Sequence, residues 1–143
     1  MLLERWNAAL SELEAKLAGA SRSAAVDAVL ESFVALIEDN PMLMLLDGML
    51  AELKRGMSDE ARRHFNVSLS ARIARTGAAI EGQHNLPDGR GAQLLIRSHA
   101  FARGLWQSCD VEDGQQLSAL ENLPDFSDEL RASLQEYWRG ALA

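Results

Sequence analysis

Cysteine is nearly absent: Cys109 is the only one in 143 residues. No internal disulfide can form, so packing alone must hold the fold, and a reducing cytoplasm is the compartment that fits. Proline is also scarce, with 3 residues, so long helices can run without a missing amide to break them. Val, Ile and Thr are few while Ala and Leu dominate, a mix that favours helix over strand. Basic residues are outnumbered: 14 Lys and Arg face 21 Asp and Glu, for a net charge of -7. Such a surface repels phosphate backbones, which argues against nucleic-acid binding by this chain alone. The opening residues, Met1 to Trp6, lack the basic stretch and apolar run of a signal peptide. No segment is apolar over enough length to span a bilayer.

Recognisable catalytic signatures are missing as well. There is no GxSxG elbow, P-loop, GxGxxG or HExxH. His64, His84 and His99 lie far apart, and Cys109 has no neighbouring histidine to activate its thiol. Asp110, Glu112 and Asp113 cluster without calcium-loop spacing and read as a solvated loop. The sequence therefore predicts no catalytic residue, no metal site and no cofactor.

What is present is helical periodicity from end to end, in a chain whose composition is that of one globular domain over residues 1–143. Leu3, Trp6, Leu10, Leu13 and Leu17 recur at spacings of three and four, one stripe of a helix over 2–18, with Gly19 as a left-handed cap. Ser21 or Ser23 can cap a second helix over 22–39, with Val26, Val29, Leu30, Phe33 and Ile37 inward. Asn40-Pro41 opens a third helix over 41–55, ending near Gly56. Ser58-Asp59-Glu60 starts a fourth, whose end is bracketed by Gly82 and Pro87. A fifth covers 90–109, and a sixth runs from Pro124-Asp125-Phe126-Ser127 almost to the C-terminus. The fold class predicted is all-α, an antiparallel bundle of about six helices.

Two helices carry more apolar surface than a small core needs. Met42, Leu43, Met44, Leu45, Leu46, Met49, Leu50 and Leu53 wrap much of the third. The fifth has one stripe of Leu94, Ser98, Phe101 and Leu105, and another of Leu95, His99, Ala102 and Trp106. A helix with two such stripes faces its own core on one side and a second chain on the other, or else is enclosed at the centre of a monomer. Gly91, Ala92, Ala100 and Gly104 would permit close approach. His99 reads as a core histidine or, in the sharper reading, as a polar anchor for a ligand. Asp47, which interrupts the third helix's apolar run, reads as a solvent-facing break ahead of the sharper reading, a pocket acid.

The stretch Leu86-Pro87-Asp88, then Ala92, Leu94, Leu95 and His99, closing on Gly104-Leu105-Trp106, resembles the end of the regulatory domain in TetR-family transcriptional regulators. The order and lengths of the earlier helices are similar too, so the resemblance covers nearly the whole chain as pattern. The family's N-terminal helix-turn-helix has no counterpart before Trp6. The expectation is a regulatory domain cut from a longer protein, with residues 2–18 as its connector; the alternative is a free-standing helical adaptor without a ligand.

The resemblance implies an effector-binding and dimerisation domain that binds a small, mainly apolar ligand and controls DNA binding allosterically. It places the inner faces of the earlier helices around a cavity. The expected lining is Phe33, Met42, Leu45, Met49, Phe65, Leu69 and Ile73, with Thr76 and His99 as polar anchors. It also implies a homodimer through the last two helices, with Phe101, Leu105, Phe126, Leu130, Leu134, Tyr137 and Trp138 at the seam. DNA would be reached only through the helix-turn-helix outside this chain, and no membrane partner is implied.

Overall fold

The computed structural model of the chain describes residues 2–39, 47, 49–108 and 126–143. Six helices are present among these residues: α1 (Leu2–Gly19), α2 (Arg22–Asp39), α3 (Leu50–Arg55), α4 (Asp59–His84), α5 (Arg90–Ser108) and α6 (Phe126–Leu142). The described residues contain no strand. Residues 40–46, most of the apolar run expected in the third helix, lie outside the described residues, as does the acidic stretch 110–124.

Each boundary has a local cause. The Ser21 hydroxyl accepts from the Ala24 amide at 3.3 Å and caps α2. Ser58 does the same for Ala61 at 3.1 Å, with Asp59 and Glu60 in the first turn of α4, near its positive end. The helix α4 runs through Gly82 and ends at His84, inside the expected bracket of Gly82 and Pro87, because Asn85 adopts the left-handed conformation at φ 52° and ψ 48°. Asparagine tolerates that region, and its N–H closes on the Glu81 carbonyl. Gly19, expected as a left-handed cap, stays within α1; the glycine with positive φ is Gly89, just before α5.

Five helices form a closed ring of neighbours: α1 packs on α2, α2 on α6, α6 on α5, α5 on α4, and α4 back on α1. The stripe of α1 turns inward as Trp6, Leu10, Leu13 and Leu17, with Leu2 buried at its start where Leu3 was expected and is half-buried. From α2 come Ala25, Val29, Leu30, Phe33, Val34 and Ile37; from α6, Leu130, Leu134 and Trp138. Trp138 is fully buried, and its indole N–H needs a partner there. Ser98 supplies it at 2.9 Å and passes its own hydroxyl proton to the Leu94 carbonyl at 2.8 Å.

The crossing of α4 and α5 depends on two glycines. A Cβ on Gly91 would collide with the Gly77 carbonyl, and one on Gly77 with the backbone of Ala92. Gly91 thus serves a contact within the chain. Gly104, by contrast, is exposed, and a Cβ added there would meet nothing within 4 Å. Glu81 of α4 reinforces the crossing by accepting from the Gly91 amide at 2.9 Å, a carboxylate at the unpaired N-terminal amides of α5.

Candidate ligand pocket

A partly open cavity of about 230 Å³ lies among the first five helices, each of which contributes to its wall. Trp6 and Leu10 come from α1, Phe33 from α2 and Leu50 from α3. Leu69 and Ile73 come from α4, and Leu95, Ile96 and His99 from α5. Asp47, just ahead of α3, completes the described lining. Among the described residues the walls are almost wholly apolar, and the ionisable side chains on them are Asp47 and His99. A second concavity of about 270 Å³, between α1 and α2, is rimmed by Arg5, Glu12, Lys16 and Asp39 around alanines. Its wall is more polar, and it lacks a buried acid–imidazole pair like that of the first.

The two polar groups converge. His99 Nε2 lies 2.8 Å from Asp47 Oδ2, and the Asp47 side chain is only 3% exposed. The contact is close but poorly aligned: neither atom has a hydrogen-bond partner of good geometry among the described residues. The imidazole is fixed from another side by Trp6, whose ring meets it edge to face at 5.1 Å and 83°. Trp6 in turn packs against Phe33 at 6.3 Å. Asp47 is therefore a buried acid at the pocket, the second of the two readings, and not the solvent-facing break put first; its neighbours, which periodicity cannot see, enclose it.

The structure sorts the expected lining residues as follows. Phe33, Leu69, Ile73 and His99 share the cavity. Met42 and Leu45 lie outside the described residues. Met49 is 44% exposed at the entry to α3, and Phe65 is buried beneath the Lys54 ammonium, 5.1 Å from the ring centroid. Neither is among the residues that line the cavity. Thr76 is buried, but its hydroxyl is committed to Glu14. Trp6, Leu10, Leu50, Leu95 and Ile96 were not expected at the pocket; Trp6 and Leu10 stood in the α1 stripe, where core and cavity wall look alike.

Next to the pocket, on the following turns of α1 and α4, lies a polar clamp. Glu14 Oε1 accepts from Thr76 Oγ1 at 2.8 Å and from Arg72 Nη1 at 3.2 Å, while Arg75 Nε lies 3.1 Å from Oε2. Burial alone would raise the Glu14 carboxyl. The hydrogen bonds from Thr76 and Arg72 and the charges of Arg75 and Arg72 outweigh it, and the pKa is held below the usual carboxylate range. Gln83 adds a fourth link between the same helices by donating to the Leu17 carbonyl at 2.8 Å.

The residues expected at a dimer seam divide in two. Leu130, Leu134 and Trp138 are buried within the single chain, because α6 turns its apolar stripe onto α2 and α5; they are core, not surface. Phe101 is exposed, and Leu105, Phe126 and Tyr137 are half-buried. Phe126 stacks edge to face on Trp106 at 5.1 Å, and Arg97 reaches the Tyr137 hydroxyl at 3.4 Å.

Among the described residues no helix is long and apolar enough to cross a membrane. No curated protein and no solved structure gives a significant match to the chain. A family model described as "Tetracyclin repressor-like, C-terminal domain" matches residues 3–143, with no DNA-binding domain in the match. The chain belongs to that family of tetracyclin repressor-like C-terminal domains.

Proposed function

We propose that this domain senses a small, mainly apolar molecule in the pocket and relays its binding through α1 to a helix-turn-helix outside these residues. The observation that carries the reading is the wall itself: Trp6 and Leu10 of α1 line the same cavity as residues of α2, α3, α4 and α5. A ligand that fits one placement of α1 better than another shifts the balance between them by that difference in affinity. The clamp at Glu14 makes α1 move with α4, so a change at the cavity becomes a displacement of the helix and not a local rearrangement. The role is regulatory binding, not catalysis, and the cytoplasm is where such a regulator would meet DNA.

The test is native mass spectrometry of the purified chain, followed by calorimetry with whatever small molecule co-purifies. Ile73→Trp fills the cavity and is expected to abolish binding while the helical circular dichroism is retained. A ligand that binds Ile73→Trp as well as wild type would place the site elsewhere.

The same reading includes a homodimer through α5 and α6, with Phe101, Leu105, Phe126 and Tyr137 as the accessible part of the seam. An isologous contact presents the same patch on both chains, so a single substitution acts twice. Light scattering at micromolar concentration should give a dimer for wild type and a monomer for Phe101→Glu. A monomeric wild type defeats the dimer.

A further inference from the structure

We propose that the pocket is built for a hydrophobic amine, a molecule of one or two rings carrying a single ammonium group. The proposal rests on the reading of this cavity as a ligand site and names the class of ligand. Size comes first. An apolar cavity of about 150 Å³ holds one benzene. The 230 Å³ here takes a substituted ring or a fused pair.

Charge decides the rest. Asp47 is buried at the wall, and no Lys or Arg lines the cavity among the described residues. A buried carboxylate is tolerated when it is paired and hydrogen-bonded. Its near neighbour, His99, sits 2.8 Å away, but Oδ2 lacks an aligned donor among the described residues. Histidine is also only conditionally charged near neutral pH, whereas an alkylammonium is charged throughout. An ammonium seated against Oδ2 supplies both the charge and the donor that the site lacks.

The surroundings favour the same chemistry. Trp6 and Phe33 present aromatic rings on the same wall, and aromatic faces attract cations. The net charge of -7 draws cations to the chain and repels anions. A carboxylic acid would bring a second negative charge beside Asp47. A neutral ligand would strip water from the carboxylate and return no counter-charge.

The experiment is isothermal titration of the full chain with three probes on one scaffold: 1-naphthylmethylamine, 1-naphthylmethanol and 1-naphthoic acid. The amine is expected to bind about tenfold or more tighter than the alcohol, the size of effect a charge-assisted hydrogen bond supplies, with the acid weakest. In Asp47→Asn the gap between amine and alcohol should close while the alcohol keeps its affinity. His99→Gln, which leaves the carboxylate in place, should preserve the gap. An alcohol or acid that binds wild type as tightly as the amine overturns the ligand class and leaves the pocket standing. A gap that survives Asp47→Asn overturns the assignment to that carboxylate. Failure of all three probes to bind defeats the pocket reading, and the ligand class with it.

Discussion

Two carboxylates sit between helices in this domain, and they are treated differently. Glu14 faces Thr76, Arg72 and Arg75, which engage both its oxygens. Asp47 is more deeply enclosed, yet has one close neighbour and no aligned donor on Oδ2 among the described residues. The first is saturated by its own chain and holds α1 to α4. The second is left, among the described residues, with an unpartnered Oδ2 at the edge of an apolar cavity, where the proposed ligand would complete it. Equal burial of charge would make both look structural; counting partners separates the clamp from the binding group.

The largest expected effect falls on the frame that holds both. Gly91→Ala places a methyl against the Gly77 carbonyl, so α4 and α5 must separate and the pocket wall with them. We expect a loss of about 3 kcal/mol in urea unfolding, at the upper end of overpacking costs. Gly104→Ala is the control: its Cβ meets nothing within 4 Å, and it should stabilise the helix by about 0.5–1 kcal/mol. If both variants behave alike, the crossing is not as tight as the geometry requires.

A smaller effect tests the comparison itself. Glu14→Ala strands Thr76 and Arg72 and should cost about 2 kcal/mol, with little of it from the exposed Arg75. Asp47→Asn removes a charge that the chain itself pairs poorly, and should be neutral within about 0.5 kcal/mol or mildly stabilising. Equilibrium unfolding of both at neutral pH decides the matter. Asp47→Asn costing as much as Glu14→Ala would make Asp47 a second structural clamp.

The smallest effect is in pH dependence. The folded Glu14 pKa is lowered from 4.5. Its contribution is therefore complete at neutral pH, begins to fade as pH drops below 4.5, and is lost on passing through the folded value. Between about pH 6 and about pH 3, wild type should lose more stability than Glu14→Gln, which has no carboxylate to protonate. Parallel losses in the two proteins would show that the clamp does not hold Glu14 ionised.

Helix positions follow from local chemistry, because caps and spacing act within a few residues. Ser58 places the start of α4, and the three- and four-residue spacing of Trp6, Leu10, Leu13 and Leu17 orients α1. The all-helical class follows in the same way. Periodicity states which residues share a side of a helix but not what that side meets. On α5 neither of the two apparent stripes is buried as a unit: Leu94, Leu95, Ser98 and Ala102 turn inward, while Phe101 faces out. The arc is chosen by where α4 and α6 lie. Trp138 and Leu134, expected at a seam from the stripe they share, are core because α2 and α5 close over them. Asp47 is the sharpest case. Its meaning depends on His99, 52 positions away in the chain and 2.8 Å away in space. Only the packing of helices around a shared cavity brings such groups together, because burial and pairing are properties of neighbours and not of the residue itself.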